Sequence, residues 1–75
     1  MVMGVAMVKV TPGQQRSIYC SLKEKDGISD LYPVSGEYDF FMIVKVESFA
    51  KLNRLMEDIQ EIPHAIKARF IGRLR

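Results

Sequence analysis

Cysteine and histidine each occur once in this chain, as Cys20 and His64. A single cysteine excludes an internal disulfide and any cysteine-based metal site within one chain, and it suits a reducing, cytoplasmic setting. A single histidine in the turn after Pro63, with no cysteine or paired carboxylates at diagnostic spacing, offers neither a nucleophile–base pair nor a metal motif. An enzyme is therefore not expected, nor is a metal or a cofactor. One-sided charge is also lacking. Eleven basic and nine acidic residues leave a net charge of +2, whereas nucleic-acid binding usually shows as a strong basic excess. The one local bias, Lys67, Arg69, Arg73 and Arg75, alternates along the chain and reads as the wet face of a strand. Long apolar runs are absent too. Met1 to Val10 is too short to span a bilayer, has no basic leader and runs into Lys9, so neither a membrane segment nor a signal peptide is expected.

What remains is a short, apolar chain. Seventy-five residues make a single domain, 1–75, of a size that buries only about 60% of its unfolded surface. A strand beginning at residue 1 is expected to leave no room for a domain before it. Hydrophobic residues form 48% of the sequence, more than one thin core can hold, and the excess points to an oligomer.

Periodicity supplies the elements. Met1 to Val10 is apolar on both alternating sets, with Met3, Val5 and Met7 facing one way and Val2, Ala6, Val8 and Val10 the other. Such a strand must be covered on both sides. Thr11-Pro12-Gly13 reads as a helix start, with Thr11 as cap and Pro12 at the first helical position. Gln15, Ile18, Tyr19 and Leu22 then share a helical face, and Gly27 supplies a left-handed C-terminal cap. Ile28 to Val34 is a strand whose Pro33 assigns it to a sheet edge. Tyr38 to Val46 is a second strand apolar on both faces, through Phe40, Phe41, Met42, Ile43 and Val44. Ser48 caps a second helix carrying Leu52, Leu55, Met56 and Ile59 as an i, i+3, i+4, i+7 stripe, and Pro63 ends it. Ala65 to Leu74 is the last strand, with Ile66, Ala68, Phe70 and Leu74 expected on one side.

The order β-α-β-β-α-β, with right-handed crossovers, gives an α+β ferredoxin-like sandwich: a four-stranded antiparallel sheet with two helices on one face. The other face is then bare, and its central strands do not alternate polar with apolar residues. A contiguous apolar patch there predicts two sheets packed face to face in a homodimer. The five methionines are placed as core or interface filling. Cys20 reads as a small packed or half-exposed side chain. RNA recognition is disfavoured because Met42, Ile43 and Val44 stand where a glycine, aromatic and basic pattern would be needed.

Ser35-Gly36-Glu37-Tyr38-Asp39, between the edge strand and the central strand, is the stretch most suggestive of a ligand site. Glycine lets the backbone approach a ligand, Asp39 and Glu37 can meet an ammonium, and free turn amides can receive a carboxylate. That set suits a zwitterionic amino acid, although an ordinary hairpin turn uses the same residue types.

Val8-Lys9-Val10-Thr11-Pro12-Gly13, Leu31-Tyr32-Pro33-Val34-Ser35-Gly36-Glu37-Tyr38-Asp39, Val44-Lys45-Val46 and Ile59-Gln60-Glu61-Ile62-Pro63 together resemble the effector (RAM) domain of Lrp/AsnC transcriptional regulators. The resemblance covers essentially the whole chain. It implies the stand-alone form of the domain, without a helix-turn-helix and without direct DNA binding. It further implies dimers through the sheets, gathered into larger rings that are often octamers. Amino acids or related small effectors are implied between neighbouring dimers, with full-length Lrp/AsnC regulators as partners. Gly36 and Asp39 match the glycine and aspartate that border the family's effector site, with Ser35, Glu37 and Tyr38 between or beside them. Two departures stand out. His64 replaces a glycine usual after the proline, and Ala68 and Phe70 replace threonines of the last strand. They imply either a different ligand or a degenerate site in a purely architectural subunit. AsnC-like domains also occur in some haem-pathway decarboxylases, where His64 would be the residue of interest.

Overall fold

The computed structural model describes residues 1–74. Its elements are β1 (Val2–Val10), α1 (Gln15–Lys23), β2 (Ile28–Pro33), β3 (Phe40–Val46), α2 (Phe49–Gln60) and β4 (Ala65–Leu74). All strand pairs are antiparallel and the sheet order is β2-β3-β1-β4. This is the ferredoxin-like arrangement expected, with Pro33 ending an edge strand that pairs only with β3.

The two apolar sets of β1 divide as their alternation predicts. Val2, Ala6, Val8 and Val10 are buried beneath the helices, while Met3, Val5 and Met7 lie on the open face, partly covered. The register Val5↔Ile43 and Met7↔Phe41 places the β3 residues Phe41 and Ile43 beside them, since paired residues share a face. Phe40, Met42 and Val44 point the other way and are buried. The helices close that side with Ile18 and Leu22 from α1 and Leu52, Leu55 and Ile59 from α2. Fully burying a side chain such as Ile59 contributes about 1.5–3 kcal/mol. No polar or charged side chain is buried in this core among the described residues, so packing alone holds the helices down.

Helix starts differ in mechanism. Ser48 caps α2 as expected, its hydroxyl accepting from the Lys51 amide at 3.2 Å. Thr11 does not cap α1, contrary to expectation. The Gln14 amide donates to the Thr11 carbonyl at 3.0 Å, and Gly13 has φ +88°. Thr11-Pro12-Gly13-Gln14 is thus a tight turn with proline second and left-handed glycine third, and the helix begins only at Gln15.

Both helices end alike. Their C-caps Glu24 and Glu61 have nearly identical dihedrals, φ −85° and ψ −8° or −9°. Three residues later each chain turns through a positive φ, Gly27 at 96° and His64 at 75°. Gly27 is therefore the left-handed residue that leads into β2, not the cap itself. His64 occupies the equivalent place before β4, which explains why glycine is the natural residue there.

The last strand departs most from its expected facing. Register shifts fall between Val5/Ala6 and between Lys9/Val10 on β1, leaving Ile66 and Ile71 as the extra residues of β4. Both are more than half exposed. Ala68 and Phe70 pack against the core, with Phe70 over Gly4, but Ile66 and Leu74 do not join them. Leu74 pairs with Met3 on the open face. The bulge also separates the basic residues. Lys67 and Arg69 share the open face, whereas Arg73 pairs with the buried Gly4 and lies over the Phe49 ring at 5.1 Å. Arg75 lies outside the described residues.

Candidate functional site

The β2–β3 hairpin carries the five residues singled out by sequence. The Val34 amide donates to the Asp39 carbonyl at 2.9 Å, closing the loop. Tyr38 and Asp39 are the end of that loop and not the first residues of β3, which starts at Phe40. Ser35, Gly36 and Glu37 are exposed, and Gly36 has φ +116°. Among the described residues, no protein acceptor is found for the amides of residues 35 to 38. They are donors available to an anion.

Asp39 is anchored at both ends of its own residue. Its amide donates to the Val8 carbonyl at 2.9 Å, and its Oδ2 accepts from the Val10 amide at 2.8 Å. The carboxylate thus fastens the hairpin to the last residue of β1, completing backbone donors that the sheet leaves unpaired. Its other oxygen accepts no hydrogen bond among the described residues. This tie spans 29 positions of sequence and had no local signal.

Two lysines outside the singled-out stretch approach the same hairpin. Lys9 Nζ donates to the Glu37 carbonyl at 3.2 Å. Lys67 Nζ lies 5.9 Å from the centre of the Tyr38 ring. The two are directly paired across β1 and β4, so the hairpin leans over that corner of the open face. Phe70, one of the two residues that replace threonines of the last strand, packs over Gly4 in the core, and Ala68 packs against the core too.

The open face next to this corner is apolar. Met3, Val5, Met7, Phe41 and Ile43 form its middle, with Tyr32 beside Phe41 at a ring separation of 6.1 Å. Elsewhere, a shallow groove of about 630 Å³ runs between the Gly27 turn, the end of β3 and α2, lined by Lys45, Lys51, Arg54 and Asp58 among others. A smaller one of about 320 Å³ lies beside Tyr19 and Asp30. The hairpin residues line neither of these two grooves.

Cys20 is exposed, and His64 is exposed at its turn. No group of three or more metal-ligating side chains exists among the described residues. No described helix is long and apolar enough to cross a membrane. Lys51 lowers the Glu47 carboxyl pKa below its ordinary value, by a hydrogen bond and by its charge, at the exposed start of α2.

Solved structures of similar fold include FFRP-DM1, with a TM-score of 0.88 and 22% identity over 95% of this chain and 96% of that one. The hypothetical protein PHS023 from Pyrococcus horikoshii matches at 0.86 and 22% identity, covering 100% and 93%. MtbAldR matches at 0.87 and 17% identity, where this chain corresponds to 51% of that longer one. No curated protein matches the sequence. The family model of the Lrp/AsnC ligand binding domain matches residues 4–71. With its βαββαβ sheet and its Ser-Gly-Glu-Tyr-Asp hairpin, the chain belongs to the Lrp/AsnC ligand-binding domain family, a regulatory rather than catalytic class of domain.

Proposed function

We propose that this small-molecule-binding regulatory module senses an amino acid or a related metabolite at the Ser35–Asp39 hairpin. In this reading it self-associates through its open sheet face, as a dimer assembling into a larger ring, and modulates Lrp/AsnC-type transcription regulators in the cytoplasm without contacting DNA itself. The observation that carries the reading is the hairpin, where four successive unpaired amides stand beside a free carboxylate oxygen of Asp39. Turn amides around Gly36 receive the ligand carboxylate, the second oxygen of Asp39 meets the ammonium, and Tyr38 forms a wall. A neighbouring copy completes the enclosure that one chain lacks.

The architectural alternative rests on one observation, that the hairpin lines neither groove of the single chain. A thermal-shift screen against the twenty amino acids, with light scattering on the same samples, separates the two. A selective rise in melting temperature supports the sensor, the stabilisation behind it being about 2.7 kcal/mol at a hundredfold excess over Kd. A stable oligomer indifferent to all twenty supports the architectural subunit.

A further inference from the structure

The corner of the open face under the hairpin carries three cationic side chains that form no ion pair among the described residues. Lys9 and Lys67 are direct cross-strand neighbours, an arrangement in which like charges repel. Arg69, two residues along and paired with Met7, stands on the same face. Among the described residues, neither lysine is held by a carboxylate. Lys9 rests on a backbone carbonyl and Lys67 on an aromatic ring. The ion pairs among the described residues lie on or beside α2, between Lys51 and Glu47 and between Arg54 and Asp58. Of the two acids in the hairpin, Asp39 already accepts from the Val10 amide.

From this geometry we infer that Lys9 and Lys67, with Arg69 alongside, seat a second anionic group of the effector, so that the ligand class is an acidic amino acid or a dicarboxylate. The inference rests on the proposed role of the hairpin and sharpens it. A neutral zwitterion brings one carboxylate, which the turn amides accommodate, and leaves the lysine pair without an anionic partner. A ligand with an additional carboxylate places one anionic group on the amides and the other between the two lysines. Both lysine side chains already lie against the hairpin, so little ordering is left to be done on binding.

The test compares near-isosteric probes by calorimetry on the full chain: L-glutamate against L-glutamine, L-aspartate against L-asparagine, and succinate. Glutamate, aspartate or succinate binding tenfold or more tighter than the neutral amides is expected, as charge-assisted hydrogen bonds imply. Lys9→Gln and Lys67→Gln should each weaken that probe by about tenfold. Their unliganded melting temperatures should hold or rise, since a like-charge pair is removed. Tighter binding of glutamine or asparagine overturns the inference while leaving the amino-acid site intact. Binding of none of the probes or of the other amino acids overturns both. Variants that change the assembly size yet keep the affinity show that the lysines pair with acids of another copy, and also overturn it.

Discussion

Replacing His64 with glycine removes a side chain from a position that disfavours one. At φ 75° the Cβ of an L-residue crowds its own backbone, at a cost of about 1–2 kcal/mol. Histidine tolerates the region better than most residues, so the lower half of that range applies. Glycine gives back about 0.4–1 kcal/mol through the greater freedom of its unfolded chain. The net gain for His64→Gly, taken at the middle of both ranges, is therefore about 0.5 kcal/mol, or about 2–4 °C in melting temperature for a domain of this size. Little opposes it. The side chain is exposed, and the bond from the Thr11 amide at 2.9 Å is accepted by the His64 backbone carbonyl, which glycine retains. Urea unfolding at fixed protein concentration measures the gain, with an unchanged slope showing that the unfolding reaction is the same. His64→Ala is the control, because alanine keeps the steric penalty and should be no more stable than the parent. If alanine stabilises as much as glycine, or glycine not at all, the strain account of this turn is wrong.

Other substitutions probe separate contacts. Gly4→Ala would place a Cβ in the Phe70 ring and 2.7 Å from the Gly72 carbonyl oxygen. It should cost about 1–3 kcal/mol by urea unfolding, with partial recovery in the Gly4→Ala, Phe70→Leu double variant. Asp39→Ala strips the acceptor from the Val10 amide and should lose about 1–3 kcal/mol. Asp39→Asn keeps an oxygen there and should lose far less, which makes it the better variant for ligand measurements. Val5→Glu or Ile43→Lys, at the centre of the open face, should reduce the light-scattering mass to that of a single chain while leaving the circular dichroism unchanged; an intact oligomer would refute the face-to-face association. Glu47 should titrate below the ordinary glutamate range by NMR and return to it in Lys51→Ala. Because its folded pKa is lowered, any stabilisation is present above the unfolded value and fades as pH falls through the folded one; on so exposed a pair, added salt should erase the shift.

The parts of this fold that were legible in the sequence are those set by local alternation. Val2 to Val10 and Phe40 to Val44 read as strands apolar on both sides because each side chain declares its own preference, and the helical stripe from Leu52 to Ile59 does the same. The start of α1 was misread because Pro12 suits both the first turn of a helix and the second position of a tight turn. The positive φ of Gly13, a backbone property, distinguishes them. The facing of β4 was misread because a bulge is a relation between two strands. Nothing in the residues around Ile66 and Ile71 declares which of them is skipped by β1. The hairpin residues were singled out by their types, but the tie from Asp39 to Val10 and the approach of Lys9 and Lys67 belong to tertiary placement. They became visible only once β1, β4 and the hairpin were brought to one corner.

The irregularities of the two outer strands have a consequence for the chain in a crowded solution. β2 carries a register shift near Ser29 and ends in Pro33, while β4 skips a residue at both Ile66 and Ile71. Each outer strand thus offers a broken row of backbone donors and acceptors, a poor template for another strand to zip onto. Ribbon-like growth from sheet to sheet, the route by which apolar strands enter fibrils, is interrupted at both margins. A chain this rich in valine, isoleucine and methionine can therefore keep a sticky surface without polymerising along its hydrogen bonds.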